Sequence, residues 1–242
     1  MPQSNKIPKR YQPKNFNILY DDRDIIIGDK AAGVLTVAAA WNKNDTVHSA
    51  LNQYVRKGNS KSKKCVYVVH RLDQNTSGIL IFAKTEQVQR FLKDDWKNTI
   101  KTYYAVVHGQ MAKKGGTISS YLIEDEEYMV HSTKDRTEGK LSHTEYVVIG
   151  ETSKFSLLKI NLLTGRKNQI RVHLANEGHP VVGDSKYGKN ASRQKRLALH
   201  SQSISFTHPF SKERMTFETN VPEYFTTFVG HWQKKPIQPN SS

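Results

Sequence analysis

Short apolar runs separated by short polar links fill most of the chain, and this pattern constrains the fold more than any other sequence feature. Each run has a length typical of a β-strand. The predicted strands are 24–28, 66–69, 79–83, 101–108, 117–122, 128–133, 142–149, 155–162, 198–206 and 214–218. Because helical segments interrupt them only irregularly, the pattern favours an α+β fold over alternating βαβ units. We therefore expect a mixed, largely antiparallel sheet with flanking helices.

Four segments have the apolar spacing or the end signals of a helix. Asp45 is the expected N-cap of the first, in which Val47, Leu51, Tyr54 and Val55 share one face. The other three are predicted at 86–97, at 167–176 and from Pro222 onward. These helices are expected to pack on the sheet.

The sequence predicts a single folded domain over residues 18–231. Neither a linker rich in Pro, Ser and Gly nor an internal repeat divides this stretch. Residues 1–17 are polar and basic and contain three prolines, so we expect a flexible basic arm. Residues 232–242 are expected to form a polar tail.

Composition and short motifs exclude several classes of protein. A lone cysteine, Cys65, permits neither an internal disulfide nor a thiolate zinc cluster. The sequence contains no G-x-G-x-x-G, H-E-x-x-H or G-x-S-x-G pattern. Residues 183–189 have the spacing of a phosphate-binding loop, but Asn190 occupies the position of its Ser or Thr, so a turn is expected there. We predict no metal and no organic cofactor.

The charge balance points to a polyanionic partner. The chain carries 37 Lys and Arg against 22 Asp and Glu, a formal net charge of +15, which favours binding to nucleic acid. The basic N-terminus lacks the apolar core of a secretory signal. The most apolar stretch, Ala31–Trp41, is about half the length that a membrane span needs. We expect a cytoplasmic monomer without a membrane anchor.

Two polar segments concentrate reactive side chains. Residues 70–78, HRLDQNTSG, place an imidazole, a guanidinium, a carboxylate and two hydroxyls between two apolar strands. From the pattern alone, an ordinary ion pair of Arg71 with Asp73 and a polar turn explain this segment better than a reactive site does. Residues 165–173, GRKNQIRVH, bring three positive charges to the start of a helix, where anions are favoured. A solvated helix start is the alternative there.

Together these segments resemble the RluA-type pseudouridine synthases. The similarity is carried by HRLDQNTSGILIFAKT and by four other segments that follow the order of the family. These are 18–37, KTYYAVVHG at 101–109, 162–188 and LALHS at 197–201. The resemblance implies a pseudouridine synthase catalytic domain with a central catalytic cleft. It also implies isomerisation of uridine to pseudouridine in ribosomal or transfer RNA, without metal or cofactor.

The resemblance assigns roles to individual residues. Asp73 corresponds to the catalytic aspartate, Tyr103 lies over the target uracil, and Arg171 pairs with the aspartate. The chemistry agrees, because the reaction needs a carboxylate beside the sugar, as nucleophile or as base, and an arginine keeps that carboxylate ionised. Arg71 would fill the space left by a flipped uridine. The substrate-binding residues implied are Arg71, Thr76, Lys101, Arg166 and Gln169.

The chain also departs from the family pattern. Lys30-Ala-Ala-Gly33 stands where members usually have Lys-Pro-Ala-Gly, and Gly165-Arg-Lys-Asn-Gln169 stands for Gly-Arg-Thr-His-Gln. Many members carry an S4-type RNA-binding module ahead of the catalytic domain, and no separate module of this kind is expected here. RNA would then be held by the catalytic domain, with the basic segments 57–64 and 189–196 as candidate phosphate contacts.

Two other functions compete with an RNA uridine isomerase. A non-catalytic RNA-binding or RNA-chaperone module on the same fold would not need a carboxylate in the site of an anionic ligand. A glycoside hydrolase would need two acidic residues flanking the bond, and only Asp73 stands in a motif. The sequence therefore favours the isomerase.

Overall fold

The computed structural model describes residues 13–42, 44–188 and 196–232. Its strands are β1 Phe16–Asp21, β2 Ile25–Lys30, β3 Tyr67–Val68, β4 Ser77–Ala83, β5 Ile100–His108, β6 Gly115–Glu124, β7 Val130–Thr133, β8 Lys140–Glu151, β9 Phe155–Leu162, β10 Leu199–Thr207 and β11 Arg214–Glu218. The helices are α1 Val47–Arg56, α2 Glu86–Asp94, α3 Gln169–Asn176 and α4 Thr226–Val229, with 3-10 turns at Trp96–Asn98 and Glu223–Phe225. No helix within these ranges is long and apolar enough to cross a membrane.

All eleven described strands join one sheet. The main order is β1-β2-β4-β10-β5-β9-β8-β6-β7, while β3 pairs with β4 and β11 with β10. Every described pairing is antiparallel except that of β4 with β10. The expected α+β fold with a mixed, largely antiparallel sheet is therefore confirmed.

The sheet is covered on both faces near β2 and β4. Leu80 and Phe82 pack in the same core as Leu51 of α1, whereas Ile79 and Ile81 pack with Val88 and Leu92 of α2. Successive strand residues point to opposite faces, so a strand buried on both sides needs an unbroken apolar run. This explains the sequence ILIFA in β4.

The β4–β10 pair brings two distant segments close together. Gly78, at the end of the HRLDQNTSG segment, has φ +116, and a Cβ there would lie 2.1 Å from the Ser201 carbonyl oxygen. His200 further links the strands, because its Nδ1 lies 2.8 Å from Ser77 Oγ. A residue with a side chain at position 78 would separate these strands.

Several predicted boundaries were wrong. Phe16 and Asn17, assigned to the basic arm, belong to β1, an edge strand with a half-exposed pattern that the search for apolar runs did not detect. The N-cap of α1 is Thr46, whose Oγ1 accepts from Ser49 N at 3.0 Å, because Asp45 is one position too early.

The predicted turn at 183–188 is confirmed by the Gly188 N–H bond to the Asp184 carbonyl at 3.0 Å. Residues 1–12, 43, 189–195 and 233–242 lie outside the described ranges, and with them most of the predicted basic arm, of the basic segment 189–196 and of the polar tail.

Candidate active site

A cleft of about 250 Å³ opens where three segments meet. The loop before β4 supplies residues 69–73 and Thr76, strand β5 supplies Lys101 and Tyr103, and the residues around the start of α3 supply 165–166 and 168–171. The two polar segments of the sequence therefore line one cavity. Cavities of this kind are the usual place for a binding or catalytic site.

Asp73 is positioned by the loop that follows β2. Thr36 Oγ1 donates to the Leu72 carbonyl at 2.8 Å and accepts from Leu72 N at 3.2 Å. On the other side of Asp73, the Gln74 carbonyl accepts from Gly33 N and from Lys30 Nζ, each at 2.9 Å. The residues flanking Asp73 are thus fixed by Thr36 and by the Lys30-Ala-Ala-Gly33 segment, which supports the loop that carries Asp73.

Lys30 supports this loop from a fully buried position. Its Nζ also donates to the Ala31 carbonyl at 3.0 Å and to the Val34 carbonyl at 2.9 Å, so three acceptors match the three donors of an ammonium group. Burial lowers the pKa of Lys30 to about 7, against the opposing influence of Asp73. Sequence reasoning assigned no role to this lysine.

Arg171 joins two carboxylates within the cleft. Its Nη1 donates to Asp73 Oδ2 at 3.1 Å, which confirms the predicted ion pair. Its Nε and Nη2 donate to Asp184 at 2.7 Å and 2.8 Å in a bidentate arrangement. The Asp184 side chain has no exposed surface, whereas that of Asp73 is 26% exposed. Asp184 therefore anchors the guanidinium, and Asp73 faces the cleft.

The electrostatics of this group favour full ionisation. Burial alone would raise the pKa of Asp184, but hydrogen bonds from Arg171 and from the Tyr187 and Lys186 N–H groups hold it below its ordinary value. Burial opposes the charge of Arg171, yet the two carboxylates raise its pKa. Sequence reasoning missed Asp184, although the acidic residue in the Gly183-Asp-Ser-Lys-Tyr187 turn was visible as a signal.

Tyr103 lies on the wall of the cleft and is almost completely buried. Burial raises the pKa of its hydroxyl to about 12, with a further contribution from the nearby Asp73. The phenol is therefore protonated at neutral pH. Its ring offers an apolar face and its hydroxyl a polar tip within the same cavity as Asp73.

The other predicted binding residues all line the cleft, but their environments differ. Arg71 and Arg166 are exposed, and Lys101 is buried. Thr76 is buried, and its hydroxyl has no hydrogen-bond partner in the described part of the chain.

Gln169 is buried and its amide is fully occupied. The Nε2 group donates to the His143 carbonyl and to Thr144 Oγ1, while Oε1 accepts from Thr164 Oγ1 and Arg166 N. Its side chain therefore fixes the loop before α3.

One cluster of possible metal ligands lies outside the cleft. Asp22, Asp24 and His208 bring their ligand atoms within 4.8 Å of one another. However, Asp22 Oδ1 already accepts from two backbone N–H groups, and its Oδ2 pairs with His208 at 2.9 Å. These bonds explain the cluster as a support for the β1–β2 turn.

The cleft therefore presents the carboxylate of Asp73, a protonated phenol and several cations to a bound molecule. Such a carboxylate can attack a carbon centre or accept a proton. The surrounding positive charge favours an anionic ligand.

The sequence matches a known family over most of its folded part. Residues 24–176 match the family described as RNA pseudouridylate synthase. Among curated proteins, the ribosomal large subunit pseudouridine synthase D of Haemophilus influenzae is 33% identical over 250 residues, covering 91% of this chain and 72% of that protein. The uncharacterized RNA pseudouridine synthase YhcT of Bacillus subtilis is 35% identical over 213 residues, covering 86% and 69%.

Solved structures have the same fold. Human RNA pseudouridylate synthase domain containing 4 superposes with a TM-score of 0.73 at 18% identity, covering 87% of this chain and 90% of that one. Human RNA pseudouridylate synthase domain containing 1 gives a TM-score of 0.69 at 23% identity, covering 93% and 90%.

Proposed function

Because this chain belongs to the RNA pseudouridylate synthase family and is an enzyme that isomerises uridine in RNA, we propose that Asp73 is its catalytic carboxylate and ribosomal RNA its substrate. The observation that carries the assignment of Asp73 is its ion pair with Arg171, at 3.1 Å, inside the cleft that Tyr103 also lines. A carboxylate paired with an arginine at a cavity wall has the position that the reaction demands.

The proposed reaction exchanges one bond to the ribose for another. The glycosidic bond from N1 breaks, the uracil turns while it stays bound, and C5 joins the same ribose carbon. N1 gains a proton and C5 loses one. Asp73 acts at the sugar, either as the nucleophile that holds the ribose or as the base that removes a proton.

Tyr103 and Arg171 assist in different ways. The Tyr103 ring stacks on the free uracil and keeps it in the cleft while it turns, and its hydroxyl assists proton transfer near C5. Arg171, anchored by Asp184, orients Asp73 through its own hydrogen bond to that carboxylate.

The remaining cleft residues hold the RNA around the target. Arg71, exposed beside Asp73, occupies the stack that a flipped uridine leaves in a paired stem. Arg166 contacts the backbone, and the unpartnered hydroxyl of Thr76 bonds to the bound nucleotide. We assign Gln169 a positioning role, because its amide has no free donor.

Ribosomal RNA is the favoured substrate because several relatives are named ribosomal large subunit pseudouridine synthase D. Transfer RNA is the alternative. The exposed basic segment 57–64 supplies phosphate contacts in this proposal.

The test is to map pseudouridine in total RNA from cells with and without the gene, and then to complement with wild type or D73N. Loss of a ribosomal pseudouridine that only the wild type restores is the expected result. Loss of a pseudouridine from transfer RNA would instead make transfer RNA the substrate. Restoration of the pseudouridine by D73N would refute the catalytic role of Asp73. No lost pseudouridine in either RNA would favour a non-catalytic RNA-binding module.

A further inference from the structure

The cations that line the cleft differ in charge compensation. Two carboxylates neutralise Arg171. Lys101 and Arg71 also line the cavity, and no carboxylate within the described ranges lies at ion-pair distance from either. An anionic group of a bound molecule is therefore most favourable beside Lys101 and Arg71.

Lys101 is an unusual lysine because it is only 5% exposed. Its Nζ lies 5.2 Å from the centre of the Trp96 ring, a cation–π contact, and the described residues give it no side-chain hydrogen bond. Burial lowers the pKa of Lys101, and no acidic side chain offsets this effect. A buried ammonium without a carboxylate is costly unless a ligand compensates it.

Strand geometry directs Lys101 toward the substrate. Lys101 and Tyr103 are two positions apart on β5, so their side chains share one face of the sheet, and both line the cleft. Lys101 therefore lies beside the residue proposed to stack on the target base.

Trp96 holds this lysine in place from the 3-10 turn before β5. Its ring also lies 4.8 Å from that of His70, at an interplanar angle of 36°. His70 is neutral, since burial lowers its pKa to about 3 and its Nε2 accepts from Ile81 N at 3.2 Å. The wall beside Lys101 is thus aromatic and uncharged, and it leaves the ammonium available to a ligand.

We propose that Lys101, held against the indole of Trp96, is the binding site for a backbone phosphate of the target nucleotide. This inference rests on the proposed function, because it takes the target base to lie beside Tyr103. The phosphate neutralises the buried ammonium and holds the ribose in the cleft that Asp73 also lines. Trp96 is a positioning residue in this arrangement.

The test measures binding and needs neither turnover nor the identity of the natural RNA. The probes are synthetic RNA pentanucleotides with a central uridine, either fully charged or carrying a neutral methylphosphonate on its 5′ or its 3′ side. Wild type is expected to bind the charged probe roughly tenfold more tightly than one of the two neutral probes. K101M should bind charged and neutral probes equally.

Two further variants distinguish phosphate binding by Lys101 from a general effect of positive charge and from a general effect of apolar packing. K97M removes an exposed lysine close in sequence and should keep the discrimination between probes. W96L retains apolar bulk but loses the cation–π contact, so discrimination should fall while thermal unfolding stays cooperative.

The proposal would be overturned if K101M lost affinity equally for all three probes. It would also be overturned if K101M still preferred the charged probe as strongly as wild type does. If the proposed function is wrong, the mapping experiment shows it separately, because pseudouridine is then unchanged in cells that lack the gene.

Discussion

Asp184 accepts hydrogen bonds from Nε and Nη2 of Arg171, at 2.7 Å and 2.8 Å. Its Nη1 donates to Asp73 and to the Asn168 side chain at 3.1 Å each. The orientation of the cleft arginine is therefore set by a buried acid that does not itself line the cleft.

Replacement of Asp184 by Asn should lower both stability and activity. The amide cannot accept two charge-assisted hydrogen bonds, so a largely buried guanidinium loses its main partner, at a cost of about 2 to 4 kcal/mol. Urea unfolding and single-turnover pseudouridine formation measure the two effects. E126Q, at an exposed acid, is the matched control and should change neither. Wild-type rates in folded D184N would contradict the anchoring role.

The D73N variant should lose turnover, by about a thousandfold or more, while it keeps the fold and binds RNA. The amide preserves the shape of the side chain but abolishes a nucleophile or base. Circular dichroism and RNA binding by the purified variant check the fold and the affinity. Pseudouridine formation near the wild-type rate would remove Asp73 from the mechanism.

Replacement of Thr76 by Val should separate binding from stability. The Thr76 hydroxyl is buried without a partner, so its removal should leave stability unchanged or raise it by about 1 kcal/mol. If the hydroxyl bonds to the substrate, kcat/KM should fall roughly tenfold. T36V provides the contrast, because the Thr36 hydroxyl bonds to both the N–H and the carbonyl of Leu72 and its loss should destabilise the fold. Unchanged kcat/KM in T76V would exclude the contact.

Replacement of Lys61, Lys63 and Lys64 together by Ala should weaken RNA binding irrespective of sequence. Each lost phosphate contact reduces the slope of log K against log salt by about 0.7 to 0.9. The rate at saturating RNA should change little. A control variant replaces three other exposed lysines, Lys93, Lys134 and Lys154, and has the same net charge. An unchanged slope in the first variant would remove the basic segment from the RNA-binding surface.

Stability should fall as the pH drops from about 6.5 to about 4. Burial lowers the pKa of His173 and of His200 to about 4, whereas histidines in the unfolded chain titrate near 6.5. Between these values the unfolded state binds more protons, so the free energy of unfolding decreases with falling pH, by up to about 1.4 kcal/mol per pH unit for each histidine. Urea unfolding from pH 7 to pH 4 measures this slope. It should become shallower in H200Q but not in H131Q, which changes an exposed histidine.

Local patterns in the sequence were sufficient for much of the fold. The runs in β4 and β5 were detectable because a strand buried on both faces is a continuous apolar run, and the helix at Glu86–Asp94 because burial of one face imposes a period of 3.6. The edge strand Phe16–Asp21 was missed, since only Phe16 in it is buried.

For the site, the segments that carry the reactive groups were identifiable before folding is considered, because Asp73 and Arg171 each stand in a dense polar motif that resembles the family pattern. How these groups are held depends on contacts between segments that are distant in the chain. Arg171 and Asp73 are 98 positions apart, and Lys30 reaches the Gln74 carbonyl across 44. The buried anchor Asp184 and the contact of Trp96 with Lys101 likewise depend on packing between separate elements. Such contacts form when distant segments are buried together, and short-range periodicity carries no signal for them.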